Sequence, residues 1–258
     1  MLNLTVNGIK DFQICERLFD YRHLEKLPEK IYSRNIHTEK FENTIKNIIY
    51  FFMFKKQSGT VPSYAAILNR WEKMWFPKDT TSYEIMTEQH ETVYGNIASL
   101  TTKAASSLLL FYEKYSSSDI IPIAISEDYY ISTNKNSNIK DSFDLIFYKN
   151  KNFFVTKILF NYRESKKDSY RIDFACLKKG FENKHPDKIN RVKYGYIDVL
   201  SQNLGFVEYH LTEDDIVMFD EWCDKIDSTE IFMSKRGLIP YCKKCPFNDP
   251  CSKWKKEK

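Results

Sequence analysis

Cys242, Cys245 and Cys251 form a C-x2-C-x5-C run inside PYCKKCPFNDPC, and no other feature restricts so sharply what the chain can fold into. Three thiols within ten residues, with Pro240, Pro246 and Pro250 stiffening the turns between them, pre-shape a metal site. Such a site needs a fourth soft ligand. Tetrahedral zinc and an iron–sulfur cluster both accept four thiolates, so the spacing leaves the two open. The other cysteines are Cys15, Cys176 and Cys223. The start of the chain, MLNLTVNGIKDF, has neither a basic n-region nor an apolar h-region. A reducing, cytoplasmic setting is therefore expected, in which the thiols stay free for a metal rather than forming a disulfide framework.

The chain has 258 residues, of which 42% are hydrophobic and 16% aromatic, enough to bury a real core and to exclude a disordered chain or a fibre. One elaborated domain over residues 1–258 is expected. The longest apolar run, Ile48 to Phe54, is closed by Lys55 and Lys56, well short of the roughly 20 residues that cross a bilayer, so no membrane partner is expected.

The net charge of +4 hides a segregation. Lys149 to Lys193 carries 13 Lys or Arg against five acids, a balance of +8. Asp198 to Glu230 carries ten acids against Lys225, a balance of −9. Either the two blocks build one basic face for a polyanion and one acidic face, or they are the solvated faces of neighbouring elements.

Periodicity divides the chain. Helical spacing is expected over Ile9–Lys26, Ser33–Phe54, Tyr64–Met74 and the long stretch Glu84–Tyr115. Short β-branched and aromatic runs then follow at Ile120–Ile125, Tyr129–Ser132, Ser142–Phe147 and Asn152–Phe160. A helix over Ser169–Glu182 precedes two more strand-like runs, Lys193–Leu200 and Gly205–Leu211. Asp214–Ile226 is expected as a helix capped by Thr212. The organisation read from this order is a helical insert at 55–118, an α/β core at 119–211 and a metal-binding tail at 240–258.

These residues resemble the PD-(D/E)XK nucleases of the RecB and AddB type, including the CRISPR-associated RecB-like exonucleases. Cys15, in NGIKDFQICERLFDYRH, stands where that group has one N-terminal cysteine, and Cys242, Cys245 and Cys251 match its C-terminal trio. The resemblance implies a restriction-endonuclease-like α/β fold, a mixed sheet flanked by helices with a helical N-terminal region. It also implies a [4Fe–4S] cluster on the four cysteines that joins the tail to Cys15. His37, in IHTEKFENTIKNIIYF, stands in the position of the family's helix histidine, Asp144 in SFDLIF matches its first acid and Lys157 in VTKI its lysine. In the family the acids, with the histidine, hold Mg²⁺ or Mn²⁺, which lowers the pKa of the water that attacks a phosphodiester, and the lysine beside them stabilises charge on the water or phosphate. The second acid should sit two residues before the lysine, on the same strand face. That position is Val155, which cannot bind a hard cation. Glu164, in an E-x-K run, and Glu127 are the candidate substitutes.

The expectation is thus a nuclease-fold protein that works on DNA with a weakened or lost catalytic centre, alongside a helicase, nuclease or other DNA-processing partner. An active Mg²⁺- or Mn²⁺-dependent exonuclease with a migrated carboxylate is the first alternative. A zinc-stapled scaffold without a nucleic-acid role is the second.

Overall fold

The computed structural model describes residues 3–29, 33–76, 91–92, 95–133, 137–163, 167–202, 204–233, 240–248 and 250–251; the side chains of 33–37, 91–92, 95–98, 167, 240 and 244 are not described. A six-stranded mixed sheet forms its centre. Its strands are β1 (Asn3–Leu4), β4 (Ile121–Ser132), β5 (Asn138–Lys149), β6 (Asn152–Leu159), β7 (Val192–Asp198) and β8 (Phe206–Glu208). Strands β2 (Glu91–Thr92) and β3 (Gly95–Asn96) form a separate two-stranded ribbon.

Local chemistry accounts for the central meander. The β5–β6 connection is the two-residue loop Asn150–Lys151, with φ of 49° and 63°, the left-handed pair that matches the right-handed twist of a tight hairpin. β6 and β7 run parallel and so need a crossover, supplied by helix α6 (Lys167–Lys184). β4 runs unbroken through the two segments expected at 120–125 and 129–132, and it carries a register shift between Pro122 and Ala124.

Helices cover both faces. One layer is built by α3 (Ser33–Gln57), α4 (Tyr64–Trp75) and α5 (Ile97–Ser116). In α3, Phe41, Ile45, Ile48, Ile49 and Phe52 recur at helical spacing and meet Trp71 and Trp75 of α4, Leu108 of α5 and Leu145 of β5 in one core. The other layer is built by α1 (Val6–Ile14), α6 and α7 (Glu213–Ser228). Their Ile9, Phe12, Phe174 and Phe219 pack with Phe143, Ile146 and Val155 of the sheet. α6 lies close on β4 through Gly180, where any Cβ would run into the Tyr129 ring. A short helix α2 (Glu16–Phe19) follows α1 after a break at Cys15, whose φ of −162° and ψ of 120° are extended. The chain here is therefore not one helix over Ile9–Lys26, and a π-helical turn at Asp20–Leu24 completes it.

Two sequence expectations are corrected. The helix read from Glu84 begins only at Ile97, because the chain at Gly95–Asn96 is paired with Glu91–Thr92; residues 77–90 lie outside the described part. The segregated charge blocks do not make two separate free faces. α6 packs on α7, where Lys179 meets Asp220 at 2.6 Å and Arg171 bonds Asp215, while Lys193 meets Glu208 at 2.6 Å across β7–β8. Part of the +8 block is thus neutralised by the −9 block beside it.

Candidate active-site cleft and cysteine pocket

The sheet forks where the site lies. The β5–β6 ladder covers Leu145–Lys149 against Asn152–Thr156 and then stops. β6 continues along β7 through Leu159, and β1 takes up the β5 edge again only at Asn138–Ile139. Residues 140–144 of β5 therefore face a gap without a ladder partner on that side. A cleft of about 1030 Å³ opens there, lined among others by Asn7, Lys10, Asp11, Lys46, Asp141, Asp144, Lys157 and Asp173.

Asp144 enters this cleft through an irregularity. Strict alternation would send Phe143 and Leu145 to the same face, yet Phe143 packs in the α6 layer and Leu145 in the α3 layer. The ladder with β4 steps from Ile125↔Leu145 to Glu127↔Phe143, and the skipped Ser126 has φ of 50°. The carboxylate of Asp144 consequently meets α3. Oδ1 accepts from Tyr50 Oη at 2.5 Å and Lys46 Nζ at 3.2 Å; Oδ2 accepts from Lys46 Nζ at 3.2 Å and the Ile158 N–H at 2.7 Å. Burial pushes this carboxyl up, but Lys46, Lys157, Tyr50 and the Ile158 N–H outweigh it and hold it below the usual Asp value. Burial beside Asp144 drives the Tyr50 phenol well above its ordinary value, so it stays a donor.

Lys157 reaches the same cleft but grips other groups. Its Nζ donates to Asp141 Oδ2 at 2.8 Å and to the Ser142 carbonyl at 2.9 Å. Burial pulls its pKa down, and the carboxylates of Asp141, Asp144 and Asp173 more than reverse that. Lys10 pairs with Asp173 at 2.6 Å, and Arg22 and His23 both reach Asp11, at 2.7 and 2.8 Å. Each of these cleft cations is thus matched by a carboxylate of the protein.

Val155 lies on the Lys157 face of β6, fully buried with Phe143, Ile146 and Phe174. Glu127 pairs with Lys184 of α6 at 2.7 Å and is not among the groups lining the cleft. Glu164 lies outside the described residues, as does the side chain of His37. The α3 groups that do meet Asp144 are Lys46 and Tyr50; nine residues beyond His37, Lys46 is about 13 Å further along the helix axis. Sequence reasoning missed Lys46, Tyr50 and Asp141. The available signal was a lysine and a tyrosine four apart on a helix whose Ile45, Ile48, Ile49 and Phe52 are all core.

The cleft groups do not fit a divalent cation. Both oxygens of Asp144 already take two donors each, and a valine fills the position of the second carboxylate. Among the described residues no group of three or more His, Cys, Asp and Glu side chains is arranged to hold a single metal ion.

The cysteines converge elsewhere. Cys15, Cys242, Cys245 and Cys251 line one pocket with Leu18, Tyr21, Tyr241 and Phe247. All four are free thiols. The extended break at Cys15 lets its thiol face the tail, and Met233, whose carbonyl accepts from the Arg17 N–H at 3.2 Å, ties the approach to the tail against α2. Burial raises the Cys245 thiol, and proximity to Cys15, Cys251 and Cys242 raises it further. Arg17 and Asn248 line the same pocket, and the four soft donors are the set that a thiolate-ligated cluster would use. Cys176 and Cys223 are buried in the α6–α7 layer instead, and burial pushes the Cys223 thiol up to about 12.

No family model matches the sequence, and no curated protein matches it. Solved structures do. One, described as "Putative exonuclease" from Eubacterium rectale, is 12% identical and covers 94% of this chain and 87% of its own, with a TM-score of 0.52. A second, SSO0001, is 11% identical and covers 95% of this chain and 84% of its own, with a TM-score of 0.41. The chain is an α/β protein with a mixed six-stranded sheet flanked by helices, and it shares the fold of the Eubacterium rectale protein. No helix among the described residues is long and apolar enough to cross a membrane.

Proposed function

We propose that this chain is a RecB/AddB-like member of the PD-(D/E)XK superfamily that serves DNA processing by binding DNA or a partner protein rather than by cutting strands. The observation that carries the reading is the fork between β5 and β6. It brings Asp144 and Lys157 into one cleft, as a nuclease of this fold requires, and buries Val155 where the second acid should stand. A phosphodiesterase centre without that oxygen ligand loses the hard-cation site on which water activation depends.

The cysteine pocket supports a [4Fe–4S] cluster held by Cys15, Cys242, Cys245 and Cys251. When bound, the cluster would tie the N-terminal helices to the tail and so contribute folding free energy. Thiols spread around a pocket wall suit a polynuclear cluster better than a single zinc ion. Protein purified without oxygen should be brown and carry about equal iron and sulfide; colourless protein holding one zinc would support the scaffold alternative instead.

A second reading has one observation in its favour. Asp141 and Asp173 place two further carboxylates in the cleft, the groups that hydrolysis with a migrated acid would use. A nuclease assay on single- and double-stranded DNA with Mn²⁺ or Mg²⁺ decides between them. We expect no cleavage by wild type, with DNA or partner binding retained and any DNA binding weakening steeply with salt. Cleavage that disappears in Asp141→Asn or Asp144→Asn would establish the second reading.

A further inference from the structure

We infer that Lys46 occupies the place of the divalent cation on Asp144 and so makes the cleft a metal-independent site, with Val155 two residues before Lys157 buried in the neighbouring core. The inference rests on reading the cleft as the counterpart of a nuclease centre. Lys46 Nζ stands 3.2 Å from each oxygen of Asp144, the bridging position a cation takes on a carboxylate. Tyr50 Oη and the Ile158 N–H supply one further donor to each oxygen. A carboxylate offers about four lone-pair sites, so these contacts saturate it. An incoming ion at about 2.0–2.6 Å would have to displace the lysine first.

Charge explains why the two positions belong together. Two carboxylates and one divalent ion sum to zero. So do one carboxylate and one ammonium. Replacing an acid by Val155 removes one negative charge, and replacing the ion by Lys46 removes one positive charge. Either change alone would leave a buried site with a net charge, which is costly in a low-dielectric setting. Lys46 is also held in place. Its neighbours Ile45, Ile48 and Ile49 are core residues, and Tyr50, one turn on, bonds the same carboxylate, so α3 is registered on the sheet by an i, i+4 pair. The remaining lysines and arginine of the cleft, Lys10, Arg22, Lys140 and Lys157, each meet a carboxylate as well.

The test is Mn²⁺ binding followed by electron paramagnetic resonance, on wild type, Val155→Asp, Lys46→Met and the double variant, with Asp144→Asn as the control for binding elsewhere. Circular dichroism confirms that each variant is folded. We expect the double variant to bind Mn²⁺ through Asp144 at least about 10-fold more tightly than either single variant, the size of effect that changes around a metal site produce. Binding by Val155→Asp equal to that of the double variant overturns the inference, and so does a folded double variant that binds none. Should the double variant not fold, the wild type decides alone. Its Asp144 carboxyl ¹³C resonance, assigned with Asp144→Asn, should be unchanged by Mn²⁺, and selective broadening overturns the inference. DNA cleavage and DNA binding are separate readouts, so the broader functional reading can fail while this one stands, and the reverse.

Discussion

Lys157 and Asp141 bridge the fork of the sheet at the point where its ladder ends. The lysine Nζ lies 2.8 Å from Asp141 Oδ2 and 2.9 Å from the Ser142 carbonyl, so one side chain of β6 holds two successive residues of β5 that no strand pairs on that side. The lysine side chain is only 13% exposed. This makes the pair a structural clasp as well as a part of the cleft.

Asp141→Asn removes the charge that the buried lysine depends on. Breaking a buried pair from one side costs about 3–5 kcal/mol. Because Ser142 and the nearby Asp144 remain, the lower end, about 3 kcal/mol, is expected in urea unfolding. Adding Lys157→Met should recover much of the loss, because the double variant leaves no stranded charge. A Lys157→Met addition that deepens the loss would show that the pair does not act as a unit.

Acid stability reports on Asp144. Its folded-state value lies below the unfolded one, near ~3.9. The stability it contributes is therefore complete above that unfolded value and is lost as pH falls through the folded one. Lys46 is the largest of the influences that oppose burial, so Lys46→Met should raise the Asp144 value and move the acid-side loss of stability to higher pH. Asp144→Asn should remove this part of the profile. Urea midpoints from about pH 3 to about pH 7 check both, and superimposable profiles for wild type and Lys46→Met would count against the Lys46–Asp144 contact.

Val155→Asp, the change that would put an acid where the proposed nuclease motif has one, should be destabilising on its own. The side chain is fully buried with Phe143, Ile146 and Phe174, and Lys157 on the same strand face is engaged by Asp141. A buried charge without its own partner costs several kcal/mol, so a loss of about 3–5 kcal/mol is expected, against about 1–2 for Val155→Thr. Chemical denaturation of both variants measures the difference. Equal losses would mean that the site solvates a carboxylate after all.

The sequence carried the parts of this architecture that depend on neighbours along the chain. Thr212 caps α7, and its hydroxyl and the Asp215 carboxylate bond each other's backbone N–H, as the T-x-x-D spacing implies. The stripe Leu100, Ala104, Leu108, Phe111 and Tyr115 is the buried face of α5. What was not legible depends on contacts distant in sequence. β1 is two residues long and is a strand only because β5 lends it an edge. Lys46 lies 98 residues from Asp144, and the local signal, its spacing to Tyr50 on a core-facing helix, does not say which carboxylate the pair would meet. Asp141 gains its role from a fork in the sheet, a property of strand divergence that no residue pattern encodes.

The cysteines give the sharpest contrast within one residue type. Cys15 faces the pocket with Cys242, Cys245 and Cys251, whereas Cys223 packs among Phe12, Phe219 and Ile226 in the layer formed by α1, α6 and α7. On the proposal that the four cysteines hold a [4Fe–4S] cluster, Cys15→Ser should abolish the iron signal and the visible absorption of anaerobically purified protein, because a hard hydroxyl is a poor substitute for a soft thiolate. It should also lower the melting temperature, since metal binding free energy is folding free energy in such a site. Cys223→Ser should keep full iron content and lose only about 1–3 kcal/mol, the cost of burying a hydroxyl in a thiol's place. Iron content and thermal melts on the two variants, prepared side by side, separate the roles. Full iron in Cys15→Ser would remove Cys15 from the ligand set and leave the trio in the tail to find its fourth donor elsewhere.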